Sequence, residues 1–182
     1  MTAINRPMRS AVRNARLTPT CAARRTFART AARLNTIPFE VKGQGTGVAQ
    51  KFQVANSSHV INTDAYPAFG GKDAYPSPLH FNLTALSSCT QVTGSIVAKD
   101  LGISISKWNV SVKGDLDPSV LIKGVEGNAN WSAITLSAEI ESDADDATFK
   151  KLGEETERRC PVTQLFKRSG VDWQSSWKNS KS

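Results

Sequence analysis

SPLHFNLTALSSCTQVTGSIVAKDLG, residues 77–102, is the stretch on which the fold turns. Ser77 followed by Pro78 supplies an N-cap and a first helical residue, a position where proline's missing N–H does no harm. Gly102 supplies the stop. The sequence therefore predicts one long helix from Pro78 to Leu101. Leu83, Leu86, Val92, Ile96 and Val97 make it apolar on more than one side, and few charges occur before Lys99. Such a helix belongs at the centre of a structure. A single chain of this size has little to cover it, so a second copy is expected to do so, as an intertwined homodimer.

On the N-terminal side, residues 37–64 read as strands. Ile37, Phe39 and Val41 alternate with other residues, and the same period returns at Phe52-Val54 and Val60-Ile61. Gly43, Gly45 and Gly47 fit a hairpin turn better than a phosphate loop, since no helix follows them. Residues 65–78 form a turn-rich loop. On the C-terminal side, Ile103 and Ile105 alternate. The phase then slips to Trp108, Val110 and Val112, which predicts a bulge near Lys107. After a polar connection over 114–130, Ile134, Leu136, Ala138 and Ile140 mark a second strand. Ser142 is expected to cap a helix reaching about Arg159, with acidic residues in its first turn. Pro161 opens a short helix to Gly170, and Val171, Trp173, Ser175 and Trp177 mark a last strand. The order predicts an α+β fold, antiparallel sheets wrapped around a long central helix.

The net charge of +7 is unevenly placed. Residues 1–36 carry eight arginines and no acid, which leaves 15 basic against 16 acidic residues in the remainder. The body is nearly neutral and lacks the basic footprint of a nucleic-acid-binding domain. No apolar run approaches the ~18 residues of a membrane span. The leader, rich in Arg, Ala and Thr, has the composition of a mitochondrial presequence more than that of an acid-binding tail. Arg6, Arg9, Arg13 and Arg16 fall along one helical face. Arg25-Thr26-Phe27-Ala28 resembles a matrix-peptidase site. The expected organisation is a presequence over 1–36, a domain over 37–182, and a place in the mitochondrial matrix.

Of three cysteines, Cys21 lies in the leader, while Cys89 and Cys160 lie in the body, 71 positions apart. With no CxxC pair and only two histidines, His59 and His80, these side chains do not offer a metal site. The histidines read as hydrogen-bonded polar residues, the four tryptophans as sheet packing, and Asp143, Asp145 and Asp146 as a charged helix start.

Three motifs carry a resemblance: GGKDAYPSPLHFNLTALSSC at 70–89, AKDLGISISKWNVSVKGDLD at 98–117, and RRCPVTQLF at 158–166. At this order and spacing they resemble the OsmC/Ohr family, proteins of osmotic stress and organic hydroperoxide resistance. The resemblance covers about residues 40–178. It implies a peroxidase cycle in which the first cysteine, matched by Cys89, attacks an organic hydroperoxide. The second, matched by Cys160, closes a disulfide that a dithiol or a protein-bound lipoyl group reduces, with no cofactor on the chain. The residues agree in part. Cys160 precedes Pro161 near a helix N-terminus, where a thiol's pKa falls; Cys89 lies three turns inside its helix and gains no such help from it.

The chain also departs from the family pattern. Peroxidase members hold the thiolate with an arginine from the N-terminal strands and a glutamate early in the central helix. Here no arginine occurs between Arg33 and Arg158, and the glutamate position falls at Leu79 or His80. His80 lies nine residues before Cys89, about 180° around the helix at ~100° per residue. Lys42, Lys51 and Lys72 are the cations that remain. Two functions follow: a matrix thiol peroxidase, or a non-catalytic dimer of the same fold that binds a small apolar ligand or a matrix partner.

Overall fold

In the computed structural model, described here for residues 36–181, the chain folds as strands β1 (Val41–Thr46), β2 (Ala49–Val54) and β3 (Val60–Thr63), then helix α1 (Pro78–Leu101). There follow β4 (Ile105–Asp115), a short α2 (Ser119–Lys123), β5 (Ala133–Ser142), α3 (Asp146–Arg159), α4 (Pro161–Arg168) and β6 (Asp172–Asn179). Residues 39–181 form one compact unit. The arginine leader and Cys21 lie outside the described residues. No helix among the described residues is long and apolar enough to cross a membrane.

The central helix has the bounds its sequence predicts. Ser77 accepts the His80 N–H at its start, and Gly102, at φ +71°, closes it in the left-handed conformation. Ahead of it, β1, β2 and β3 form an antiparallel sheet. The first strand begins at Val41, later than the alternation from Ile37 suggested. Gly43 and Gly45 lie inside β1, and Gly47, at φ +63°, makes the two-residue turn into β2 with Val48. The loop after β3 is organised by Asp64. Its buried carboxylate accepts the backbone N–H groups of Ala65, Lys72 and Ala74 at 2.8, 3.1 and 3.0 Å.

The second sheet has the order β4-β5-β6. Ile134, Leu136, Ala138 and Ile140 alternate along β5 and are all buried, as their period demands. They face Leu86, Val97 and Ala98 of α1, Phe149 and Leu152 of α3, and Phe166 of α4. The register of β4 against β5 shifts between Ile105 and Lys107, where the phase slip predicts a bulge. Gly94 lets Trp108 lie against α1, since a side chain there would collide with the indole.

Two expectations are corrected. The sheets are not wholly antiparallel: β6 pairs with β5 in parallel, from Ala133↔Asp172 to Ile140↔Asn179. Helices α3 and α4 carry the chain back across the sheet before it enters β6, and a parallel pair needs such a crossover. Nor does Ser142 cap α3. It ends β5, where its N–H and hydroxyl donate to the Asn179 side-chain oxygen at 3.2 and 3.1 Å. Asp145 caps the helix instead, accepting the Thr148 N–H at 2.7 Å. The short α2 lies within the 114–130 connection, where its five residues give too little periodicity to be read.

Candidate active site

Proline decides where Cys160 stands. Pro161 has no N–H to continue α3 and disfavours helical backbone at the residue before it. Cys160 accordingly takes an extended conformation, φ −71° and ψ 115°, and belongs to both helices. Its N–H donates to the Thr156 carbonyl at 2.9 Å, closing α3. Its sulfur accepts the Thr163 N–H at 3.4 Å, opening α4. The side chain is fully buried.

Cys89 projects from the middle of α1 and is half-buried. Packing of α1 against α4 brings the two thiols close enough that each alters the other's pKa. The Val162 N–H, in the first turn of α4, lowers the pKa of both thiols. The Thr93 hydroxyl, one turn along α1, favours the Cys89 thiolate, and the Thr163 hydroxyl favours that of Cys160. Cys89 is thus served by an amide of a different helix, which its place inside α1 could not reveal. Thr90, Thr93, Thr156 and Thr163 are all buried, so the pair lies among hydroxyls rather than charges. The Thr156 hydroxyl, one turn before Cys160, is buried without a hydrogen-bond partner.

The two thiols are pushed in opposite directions. Burial raises the pKa of Cys89, the neighbouring Cys160 raises it further, and the Val162 N–H and Thr93 hydroxyl offset this only in part. Burial acts the same way on Cys160. There the Thr163 hydroxyl and N–H, the Cys89 thiol and the Val162 N–H all favour the thiolate, and together they hold it below the ordinary thiol range. Two sulfurs this close titrate as a unit.

The cations that the sequence offers act elsewhere in this chain. Lys42 pairs with Glu40 at 3.5 Å, and Lys72 acts on Asp64. Lys51 is exposed on β2. Arg158 is bonded to Glu155 at 2.7 Å and Arg159 to Asp100 at 2.6 Å. His80 stands near the start of α1, its ring 3.2 Å from the Ser77 hydroxyl and 3.3 Å from the Tyr66 hydroxyl. Among the described residues, no three His, Cys, Asp or Glu side chains stand close enough together to hold a metal ion. A cavity of about 870 Å³ between α3, α4 and β6 is lined by residues that include Glu157, Lys167 and Trp177 but neither cysteine. The hydroxyls of Thr93 and Thr163 escaped the sequence reading. Their signal was spacing: four residues after Cys89 and three after Cys160, where a helix stacks side chains on one face.

The sequence profile of the family described as OsmC-like protein matches residues 70–176, and the chain belongs to that family. Comparison with curated proteins finds no matching relative. Solved structures share its fold. An OsmC-like protein of Mycoplasma pneumoniae is 19% identical, with a TM-score of 0.63 over 79% of this chain and 99% of that one. An organic hydroperoxide resistance protein of Elizabethkingia anophelis is 17% identical, with a TM-score of 0.64 over 81% and 99%. The organic hydroperoxide resistance protein OhrB of Bacillus subtilis is 18% identical, with a TM-score of 0.55 over 78% and 98%.

Proposed function

We propose that this protein is a thiol peroxidase that reduces organic hydroperoxides in the mitochondrial matrix, with Cys89 as the attacking and Cys160 as the resolving cysteine. One observation carries the reading: two cysteines 71 positions apart in sequence are brought close enough that each thiol alters the other's pKa. Cys89 is the more accessible and is the one a hydroperoxide can meet, while the fully buried Cys160 can meet only Cys89. Attack transfers the terminal hydroperoxide oxygen to Cys89 as a sulfenic acid, and Cys160 then displaces hydroxide to form the disulfide. An external dithiol or lipoyl-type group restores the two thiols.

A homodimer is part of the proposal. β1 is exposed along its whole length, Val41 at 55%, and Phe39, two residues before it, is 91% exposed. Val92 and Ile96 of α1, three and seven residues beyond Cys89, are 62% and 50% exposed. A second copy laid on these faces would bury them and enclose Cys89 in apolar surroundings suited to an organic substrate. The matrix location rests on the composition of the arginine leader.

The test is hydroperoxide consumption with cumene hydroperoxide and a dithiol. Wild type should turn over, Cys89→Ser should not, and Cys160→Ser should accumulate Cys89 sulfinic acid. Equal consumption by wild type and Cys89→Ser would overturn the reading. A second reading, a non-catalytic dimer that binds a small apolar molecule or matrix partner, is favoured by a cavity of about 570 Å³ lined by Val48, Phe69, Leu79, Leu121 and Ile122.

A further inference from the structure

Among the described residues, two buried side-chain polar atoms lack a hydrogen-bond partner: the Thr156 hydroxyl and the Trp173 indole nitrogen. A threonine inside a helix ordinarily donates its hydroxyl to the carbonyl one turn back. Thr90 of α1, also buried, does so to Leu86 at 2.8 Å. Thr156 is fully enclosed and makes no such bond. Valine has the same shape and would carry no unmade bond at this position, so the hydroxyl needs a reason outside the resting structure.

Its place in α3 supplies one. Phe149, Leu152, Gly153 and Thr156 form the buried stripe of the helix, at spacings of three and four. Cys160 is the next position on that stripe, fully buried, its N–H donating to the Thr156 carbonyl at 2.9 Å. The stripe's helix packs against α1, which carries Cys89. At rest the Cys160 sulfur accepts the Thr163 N–H at 3.4 Å, in the first turn of α4. To bond Cys89 that sulfur must point at it, and so must turn from the position in which Thr163 holds it. It turns inside the protein, away from water, where a charged sulfur without a donor is costly.

Resting on the peroxidase reading, we infer that Thr156 is a positioning residue for the resolving step: its unpaired hydroxyl is the donor that takes the Cys160 sulfur as it turns from Thr163 toward oxidised Cys89. The hydroxyl has no bond while both thiols are reduced and gains one as the disulfide closes. In that step the Cys160 thiolate attacks the Cys89 sulfenic sulfur. An S–S bond forms, the S–O bond breaks, and hydroxide leaves and takes a proton from solvent. Cys160 is oxidised, and the Cys89 sulfur is reduced from sulfenic acid to disulfide. A donor held ready for a state that forms only during reaction lowers stability at rest and speeds the step that uses it.

Rapid mixing of the reduced full-length chain with cumene hydroperoxide separates the two steps. Dimedone trapping follows Cys89 sulfenate, and non-reducing peptide mapping follows the disulfide. Thr156→Val should form sulfenate at the wild-type rate and accumulate more Cys89 sulfinic acid. Its disulfide should close about tenfold more slowly, the effect of one hydrogen bond to a charged group. Thr156→Ser keeps the hydroxyl and should close within about twofold of wild type. Reduced Thr156→Val should resist urea at least as well as wild type, because no bond is lost there. Closure at the wild-type rate in Thr156→Val, equal slowing in both variants, or a reduced Thr156→Val less stable than wild type would each overturn the inference. A second oxidant separates it from the reading on which it rests: diamide forms an adduct on Cys89 that Cys160 displaces without any hydroperoxide. A wild type that makes no sulfenate but closes the disulfide with diamide removes the peroxidase reading, and the same two variants then decide the inference on diamide closure. A wild type that closes with neither oxidant removes both.

Discussion

The Glu157 carboxylate of α3 stands 2.6 Å from the Lys167 ammonium of α4. Its other oxygen accepts the Trp177 indole N–H of β6 at 2.8 Å. Three elements meet at one nearly buried carboxylate, and one of them is the helix that Cys160 caps. The Lys167 ammonium also lies 5.5 Å from the centre of the Trp173 ring. The site is therefore held by a clamp at the opposite end of α4.

Glu157→Gln is expected to lower unfolding stability by ~1–3 kcal/mol at pH 7, the range for losing a buried charged hydrogen bond. Burial pushes the Glu157 carboxyl up, but Lys167, Ser175 and Trp177 outweigh this and hold it below the usual carboxylate range. A depressed carboxyl contributes stability above its unfolded value of ~4.3 and loses it as pH falls through the lower folded value. The deficit of the variant should therefore narrow in acid. Urea unfolding at pH 7 and again below pH 4 measures both effects, and a deficit that is the same at both would contradict the clamp.

Mild hydroperoxide treatment should link Cys89 to Cys160, and a dithiol should reverse the link. Closing a loop of this length stabilises by up to about 4 kcal/mol on loop-closure entropy. Oxidised protein should then melt above reduced protein. Peptide mapping that recovers both thiols unlinked, with Cys89 driven to sulfinic acid, would count against a resolving Cys160.

Light scattering at micromolar concentration should give about twice the mass of the mature chain. Val92→Asp would place a charge on the exposed apolar face of α1, beside Cys89. It should produce monomer or aggregate, because a charge left unpaired in an apolar interface costs several kcal/mol. A stable wild-type monomer would refute the dimer.

Protein isolated from its native cells should lack about the first 27–36 residues and fractionate with the matrix, as the acid-free arginine leader implies. N-terminal sequencing reads the cleavage point. An intact leader on most of the cellular protein would defeat the targeting reading.

The amino-acid sequence determined the features whose causes lie within a few residues of one another. Ser77, Pro78 and Gly102 set both ends of α1 through capping and backbone preference. The alternation from Ile134 to Ile140 set the buried face of β5, and the broken alternation around Lys107 set the bulge. Cys89 and Cys160 stood out through the motifs around them. Local signals misled where two of them competed: Ser142 offered a cap, but its hydroxyl went to Asn179 and the cap passed to Asp145. Tertiary structure alone decided the parallel entry of β6, the approach of the two thiols, and the Val162 N–H that lowers the pKa of both. Each depends on how α3 and α4 pack across the sheet against α1. That packing comes from apolar burial between distant segments, a force with no direction of its own and no short-range pattern in the chain.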